Sequence, residues 1–237
     1  MVTATASGSN DRSNKKIRRQ VEGVGAATEQ HGAAGWSHAL GETSLFTEQV
    51  LVVNQKAKFF EVKAEYGVFD QHGHRIGAVR EVGRSLMTKA LGQRSDQNRA
   101  VRLQVVDLDG RVRLTLTRPA KILRSKVTIG LPDGTPVGQI VQKNLGLTGR
   151  IRFTLEQGGQ VLGSINAESW GAWDFNVQDA NENELARITR TWAGLLAESF
   201  TKGDNYVVQI HRPLEEPLRS LVVAAALAID TALRQST

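Results

Sequence analysis

The chain of 237 residues contains no cysteine. That excludes a disulfide framework and any thiolate nucleophile or ligand, and it fits a reducing compartment. Aromatic residues make up only 5% of the sequence. They do not interleave with the basic residues, which disfavours the stacking platforms that hold single-stranded nucleic acid. No Gly-x-Ser-x-Gly elbow, Walker loop, Gly-x-Gly-x-x-Gly turn after a strand or His-Glu-x-x-His helix is present. The chain therefore reads as no enzyme and as needing no cofactor. Met1 to Asn14 is small and polar and lacks the apolar stretch of a secretory signal. The uninterrupted apolar run Leu221 to Ile229 is far shorter than the ~20 residues that cross a bilayer. These absences set the expectation of a cytoplasmic protein without a transmembrane span, for which any membrane contact is peripheral and at the inner face.

What is present falls into two parts. Residues 1–43 are rich in Gly, Ala, Ser, Thr and Asn without hydrophobic periodicity, and read as a flexible polar leader. Residues 44–237 read as one domain in which a unit repeats: an alternating strand, a glycine-centred turn, a second strand. Copies run from Tyr66 to Val79, Leu103 to Leu116, Val127 to Ile140 and Phe153 to Ile165, with a degenerate copy from Phe175 to Ile188. Alternation of apolar and polar residues marks half-buried antiparallel strands. The turns Asp-Gly, Gly-Gly and Asn-Glu-Asn supply residues that tolerate positive φ. Leu51 to Val62 and Tyr206 to Ile210 add two more strands.

About twelve antiparallel strands leave exposed edges unless they close into a barrel, and a barrel of that size is too wide for its own side chains to fill. Leu218 to Leu233 is apolar on almost every side, and such a helix must be surrounded. The expected fold is thus all-β with one central helix: a closed barrel of about twelve strands around a buried helix at about 217–234.

Net charge is +6 and the pI about 9.8, which favours acidic partners. Between Asp109 and Asp133 no acidic residue occurs, yet Arg111, Arg113, Arg118, Lys121, Arg124 and Lys126 all do. A second basic group, Lys15, Lys16, Arg18 and Arg19, lies in the leader. Such a run is either a solvated strand face or a patch for anions. Near an anionic leaflet each base adds about 1 kcal/mol, so six could hold a protein weakly and reversibly.

The closing block from Glu198 to Asp230 resembles that of phospholipid scramblases: Phe200 and Thr201 precede an acidic loop with Asp204, Asn205 and Tyr206, then Gln209, then an apolar helix ending in Ile229 and Asp230. Leu51 to Lys58, the Glu65 to Gly77 hairpin and Arg187 to Gly194 look like other parts of the same domain, so the resemblance covers roughly Leu45 to Gln235. It is nearest to bacterial scramblase-related proteins. The plant LURP-one-related proteins and the tubby carboxy-terminal domain share the architecture, a twelve-stranded barrel around a carboxy-terminal helix. The resemblance implies a role with phospholipid. Founding members were named for moving phospholipids between leaflets in response to calcium, and tubby domains bind phosphoinositide headgroups through basic surface residues.

For calcium, the resemblance singles out Asp204, Asn205 and Glu215. Lys202 stands where the family has an Asp, and a cation there repels calcium. Asp230 within the apolar helix reads as a hydrogen-bonded structural residue or a polar, ion-handling group. His72 and His74 flank a turn glycine without an evident third ligand. Trp170, Trp173 and Trp192 read as core packing or as interfacial anchors. Ser85 to Leu91 reads as a short helix. The expected function is non-catalytic binding of anionic phospholipid, or of a protein at the membrane surface, through the basic run. The alternatives are genuine scrambling between leaflets and a nucleic-acid or protein-interaction module.

Overall fold

A computed structural model describes residues 44–54, 64–82, 100–120, 125–144, 151–167, 173–190 and 205–233. The leader, Trp36 and the short helix expected over Ser85 to Leu91 lie outside the described residues.

Each expected repeat is a hairpin. The strands are β1 (Val50–Asn54), β2 (Ala64–Phe69), β3 (Arg75–Glu81), β4 (Val101–Asp107), β5 (Val112–Arg118) and β6 (Lys126–Gly130). They continue as β7 (Pro136–Gln142), β8 (Ile151–Gln157), β9 (Gln160–Ala167), β10 (Asp174–Asp179), β11 (Glu184–Thr189) and β12 (Asn205–Ile210). Sequence neighbours pair antiparallel all the way round, and β12 pairs with β1, closing a twelve-stranded barrel with no free edge. A short helix, α1 (Ser44–Thr47), precedes β1, and α2 (Leu218–Leu233) follows β12.

The helix explains the barrel. From Ser220 to Ile229 every residue of α2 is buried, none more than 6% exposed. Inward residues of the strands, among them Leu114, Leu116, Ile140, Phe153 and Val208, share one core with it. Where β7 passes the helix, Gly138 leaves room. A Cβ there would lie 3.1 Å from the Leu221 side chain and 2.6 Å from the Glu156 carbonyl oxygen. At 1.5 Å per residue the sixteen residues of α2 span about 24 Å, close to the ~23 Å of a seven-residue strand.

The barrel has two unlike ends. Tight turns follow β2, β4, β6, β8 and β10 at one end, from which α2 also enters. Longer connections follow the odd-numbered strands at the other. These are called below the turn end and the loop end. Four of the tight turns share one geometry. The first residue takes a hydrogen bond on its carbonyl from the fourth residue's amide, and its own amide donates to the carbonyl of the fifth: Asp70 with Gly73 and His74, Asp107 with Gly110 and Arg111, Leu131 with Gly134 and Thr135, Asp179 with Glu182 and Asn183. The fourth position is left-handed, which costs an L-residue about 1–2 kcal/mol and glycine almost nothing. Glycine fills it three times; in the last turn Glu182 does, with φ 66°. The sequence pointed to the asparagines beside it, but the strain falls on the glutamate. Glu182→Gly is expected to raise stability by about 1 kcal/mol in chemical denaturation. A loss of stability would show that Glu182 makes compensating contacts.

Candidate functional site

The basic run does not form one patch. β5 starts at the turn end and finishes at the loop end, so Arg111 and Arg118 are about 23 Å apart along the strand. Arg111 is exposed in the turn and lies 3.6 Å from Asp109. Arg113 is half-buried and bound to Asp107, Nε to Oδ2 at 2.8 Å with a second contact at 2.7 Å. Arg118 shares the inward side of β5 with Leu114 and Leu116 and is only 4% exposed. It faces the lumen at the end towards which α2 runs, where a cation suits the carbonyl end of a helix. Lys126, the first residue of β6, is exposed. Lys121 and Arg124 lie outside the described residues.

Sequence reasoning missed other bases at the loop end. Arg102, one residue into β4, is exposed; Arg152, one residue into β8, is half-buried; Arg190, just after β11, is exposed. Arg102 and Lys126 have no ion-pair partner among the described residues. Lys143, at the end of β7, is instead tied to Glu156 at 2.6 Å. The signal was available in the alternation of connections: Val-Arg-Leu, Ile-Arg-Phe and Thr-Arg all sit where a strand meets a long connection. Beside Arg190 lies Trp173, which is half-buried. Its ring meets Phe175 edge-on at 6.0 Å and lies 5.2 Å from Tyr206, and the Arg190 guanidinium sits 5.5 Å from the ring centre. Its backbone is left-handed, φ 47°, uncommon for a bulky residue. Trp173 thus packs on the core; Trp170 and Trp192 lie outside the described residues.

Of the calcium candidates, the two described residues, Asn205 and Glu215, are not brought together. Asn205 opens β12 at the loop end, where its Oδ1 accepts from Asn54 Nδ2 at 2.6 Å. Glu215 follows β12 at the turn end, beyond a strand of about 17 Å. Asp204 and Lys202 lie outside the described residues, as does the side chain of Asp230. No group of three His, Cys, Asp or Glu positioned for a metal occurs among the described residues. His72 and His74 belong to a turn built on Asp70, whose Oδ1 accepts from both of their amides at 2.8 Å.

The turn end is acidic, and its carboxylates are structural. Burial works to raise the Asp70, Asp107 and Asp179 carboxyls. Hydrogen bonds overcome it: from the His74 and His72 amides to Asp70, from Arg113 and the Arg111 amide to Asp107, and from Asn183 and Arg212 to Asp179. All three are held below the ordinary carboxylate range, as is Glu156, where burial is overcome by Lys143, Thr154 and Gln139. A depressed folded-state pKa gives stability that is fully present above the unfolded value, about 4, and lost as pH falls through the folded value. Urea midpoints are expected to drop steeply as pH falls below about 4; burial raises the Glu216 carboxyl, which works in the opposite direction at higher pH. Asp107→Asn is expected to cost about 1.5–3 kcal/mol at pH 7 and to weaken that acid dependence. Equal midpoints at pH 7 and 3 would contradict the assignment.

The scramblase family pattern matches residues 38–233. The chain belongs to the scramblase family. Curated relatives include human phospholipid scramblase 1, 23% identical over 190 residues covering 75% of this chain and 58% of that protein. The Saccharomyces cerevisiae altered inheritance rate of mitochondria protein 25 is 27% identical over 198 residues, covering 70% and 60%. Human phospholipid scramblase 2 is 25% identical over 183 residues, covering 72% and 60%. The chain thus spans about three fifths of the length of these relatives. A solved Arabidopsis thaliana protein superposes with TM-score 0.44 at 12% identity, covering 76% of this chain and 91% of that one. The barrel around a carboxy-terminal helix agrees with the architecture that the resemblance implied. No helix among the described residues is long and apolar enough to cross a membrane.

Proposed function

We propose that this scramblase-family barrel is a non-catalytic, membrane-peripheral protein that binds anionic phospholipid through exposed basic side chains. The observation that carries the reading is the pair Arg102 and Lys126, exposed on β4 and β6 without an acidic partner among the described residues. Membership of a family whose curated relatives are named for phospholipid scrambling supplies the ligand class. Of the six bases in the run, geometry favours Lys126 as a headgroup ligand. Arg113 is occupied by Asp107, Arg118 is buried, and Arg111 has Asp109 beside it. Lys121 and Arg124 join the proposal only by their place in the sequence.

The buried state of α2 favours surface binding over leaflet exchange by this barrel. Exchange through the helix would require ten consecutive buried residues, Ser220 to Ile229, to leave their core. In vesicle flotation the protein is expected to rise with phosphatidylserine-containing vesicles, to stay behind with pure phosphatidylcholine, and to be released by high salt, since exposed charges are screened within about 10 Å at 0.1 M. Reconstituted vesicles carrying a fluorescent lipid are expected to show no leaflet exchange. Equal flotation with both lipids, or exchange on adding protein, would overturn the reading.

A further inference from the structure

We propose that Asp109, in the tight turn after β4, is a site of spontaneous isoaspartate formation, and that its counterpart Asp133, in the turn after β6, is protected. The chain holds two Asp-Gly pairs, Asp109 with Gly110 and Asp133 with Gly134. Both occupy the third and fourth positions of the same turn geometry, so each serves as the control for the other. The lipid-binding reading plays no part in the inference.

The chemistry needs an aspartate followed by an unhindered amide. The Gly110 nitrogen attacks Cγ of the protonated Asp109 carboxyl. An N–Cγ bond forms, and the amide proton leaves with the acid hydroxyl as water, giving a five-membered succinimide. Water then opens the ring. Attack at Cγ restores aspartate. Attack at the main-chain carbonyl breaks its bond to nitrogen and leaves the chain running through Cβ and Cγ. The backbone has then gained one methylene, and the former main-chain carbonyl has become a free carboxylate. Water is the co-reactant and nothing is oxidised or reduced.

The turn after β4 leaves this path open. The Asp109 side chain is 69% exposed, and its ion-pair contact at 3.6 Å is to the equally exposed Arg111, a kind of pair that holds weakly. A Cβ on Gly110 would meet nothing within 4 Å, so a ring has room to close. The Gly110 amide donates to the Asp107 carbonyl at 3.1 Å. Releasing it is a local opening of an exposed turn tip. Leu108, 66% exposed, does not anchor that tip.

Asp133 lacks two of these freedoms. Pro132 fixes the backbone just before it, which leaves the opened turn fewer conformations. Asp133 Oδ1 also accepts the Thr135 amide at 2.8 Å, which ties the side chain to the residue beyond Gly134. That hydrogen bond holds the carboxyl below its ordinary range, so the reactive neutral acid is scarcer. At Asp109 the added methylene would fall inside the turn that Asp107 organises. It moves Arg111 out of register with the Asp107 carboxylate, which takes the Arg111 amide at 2.9 Å and the Arg113 guanidinium at 2.7 Å. Isomerisation therefore loosens the β4–β5 hairpin.

The test ages the full chain in buffer, digests it, and locates isoaspartate by methyl transfer from S-adenosylmethionine with protein L-isoaspartyl methyltransferase, followed by mass spectrometry. Asp109 is expected to convert at least about 5-fold faster than Asp133, from the proline and the hydrogen bond together. Asp109→Glu, which would have to close a six-membered ring, is expected to remove the dominant signal, and Asp133→Glu to leave it. After ageing, amides of β4 and β5 are expected to exchange faster in the unsubstituted chain than in Asp109→Glu. Equal or faster conversion at Asp133 would overturn the proposal. So would no isoaspartate at Asp109 while a synthetic peptide of residues 105–113, aged alongside, isomerises. Equal exchange in the two aged proteins, with Asp109 converted, would overturn the loosening of the hairpin.

Discussion

A helix with no polar side has to be enclosed, and everything else in this molecule follows from enclosing α2. Burial of Leu221, Val222, Val223, Leu227 and Ile229 removes from water side chains worth about 1.5–3 kcal/mol each. The run of alanines, Ala224 to Ala226 and Ala228, keeps the helix narrow. Glycine in β7 lets it approach, and the helix is about as long as a strand. Twelve strands provide a lumen wide enough to need such a filling, and closure of β12 on β1 removes the edges that so many strands would otherwise expose. The lumen is thereby committed to packing. Ligand chemistry is left to the outer surface and the two ends.

Hairpin chemistry then segregates charge. Aspartates at the starts of the turns after β2, β4 and β10 organise those turns by accepting backbone amides, so the end with tight turns collects carboxylates. Among the described residues, the other end carries bases where strands meet longer connections. Local folding signals therefore produce a polarised barrel without any strand having to be charged along its length. The same groups that hold the hairpins together give the molecule a direction.

Much of this was legible in the sequence. Period-two alternation located the five hairpins together with their glycine-centred turns and, in the last, Asn-Glu-Asn, and the all-apolar segment located the helix. The run from Arg111 to Lys126 was legible as charge but not as geometry. Strand direction separates its members from one end to the other, and side-chain alternation sends Arg118 inward while Arg113 stays out. Asp107 precedes the acid-free stretch in sequence, yet the hairpin folds it onto Arg113. Asn205 and Glu215 are ten positions apart in sequence, and β12 carries them to opposite ends. Such errors arise wherever proximity along the chain stands in for proximity in the barrel.

The central claim is that α2 stays inside the barrel when the protein is on a membrane. Thiol labelling of Ala226→Cys, at a position 1% exposed and deep in the core, tests it most directly. With the protein bound to phosphatidylserine vesicles, labelling by a maleimide is expected to be no faster than in buffer and limited by global unfolding. Rapid labelling on the vesicles, with the barrel hairpins still protected from hydrogen exchange, would show the helix leaving its sheath and would contradict the account.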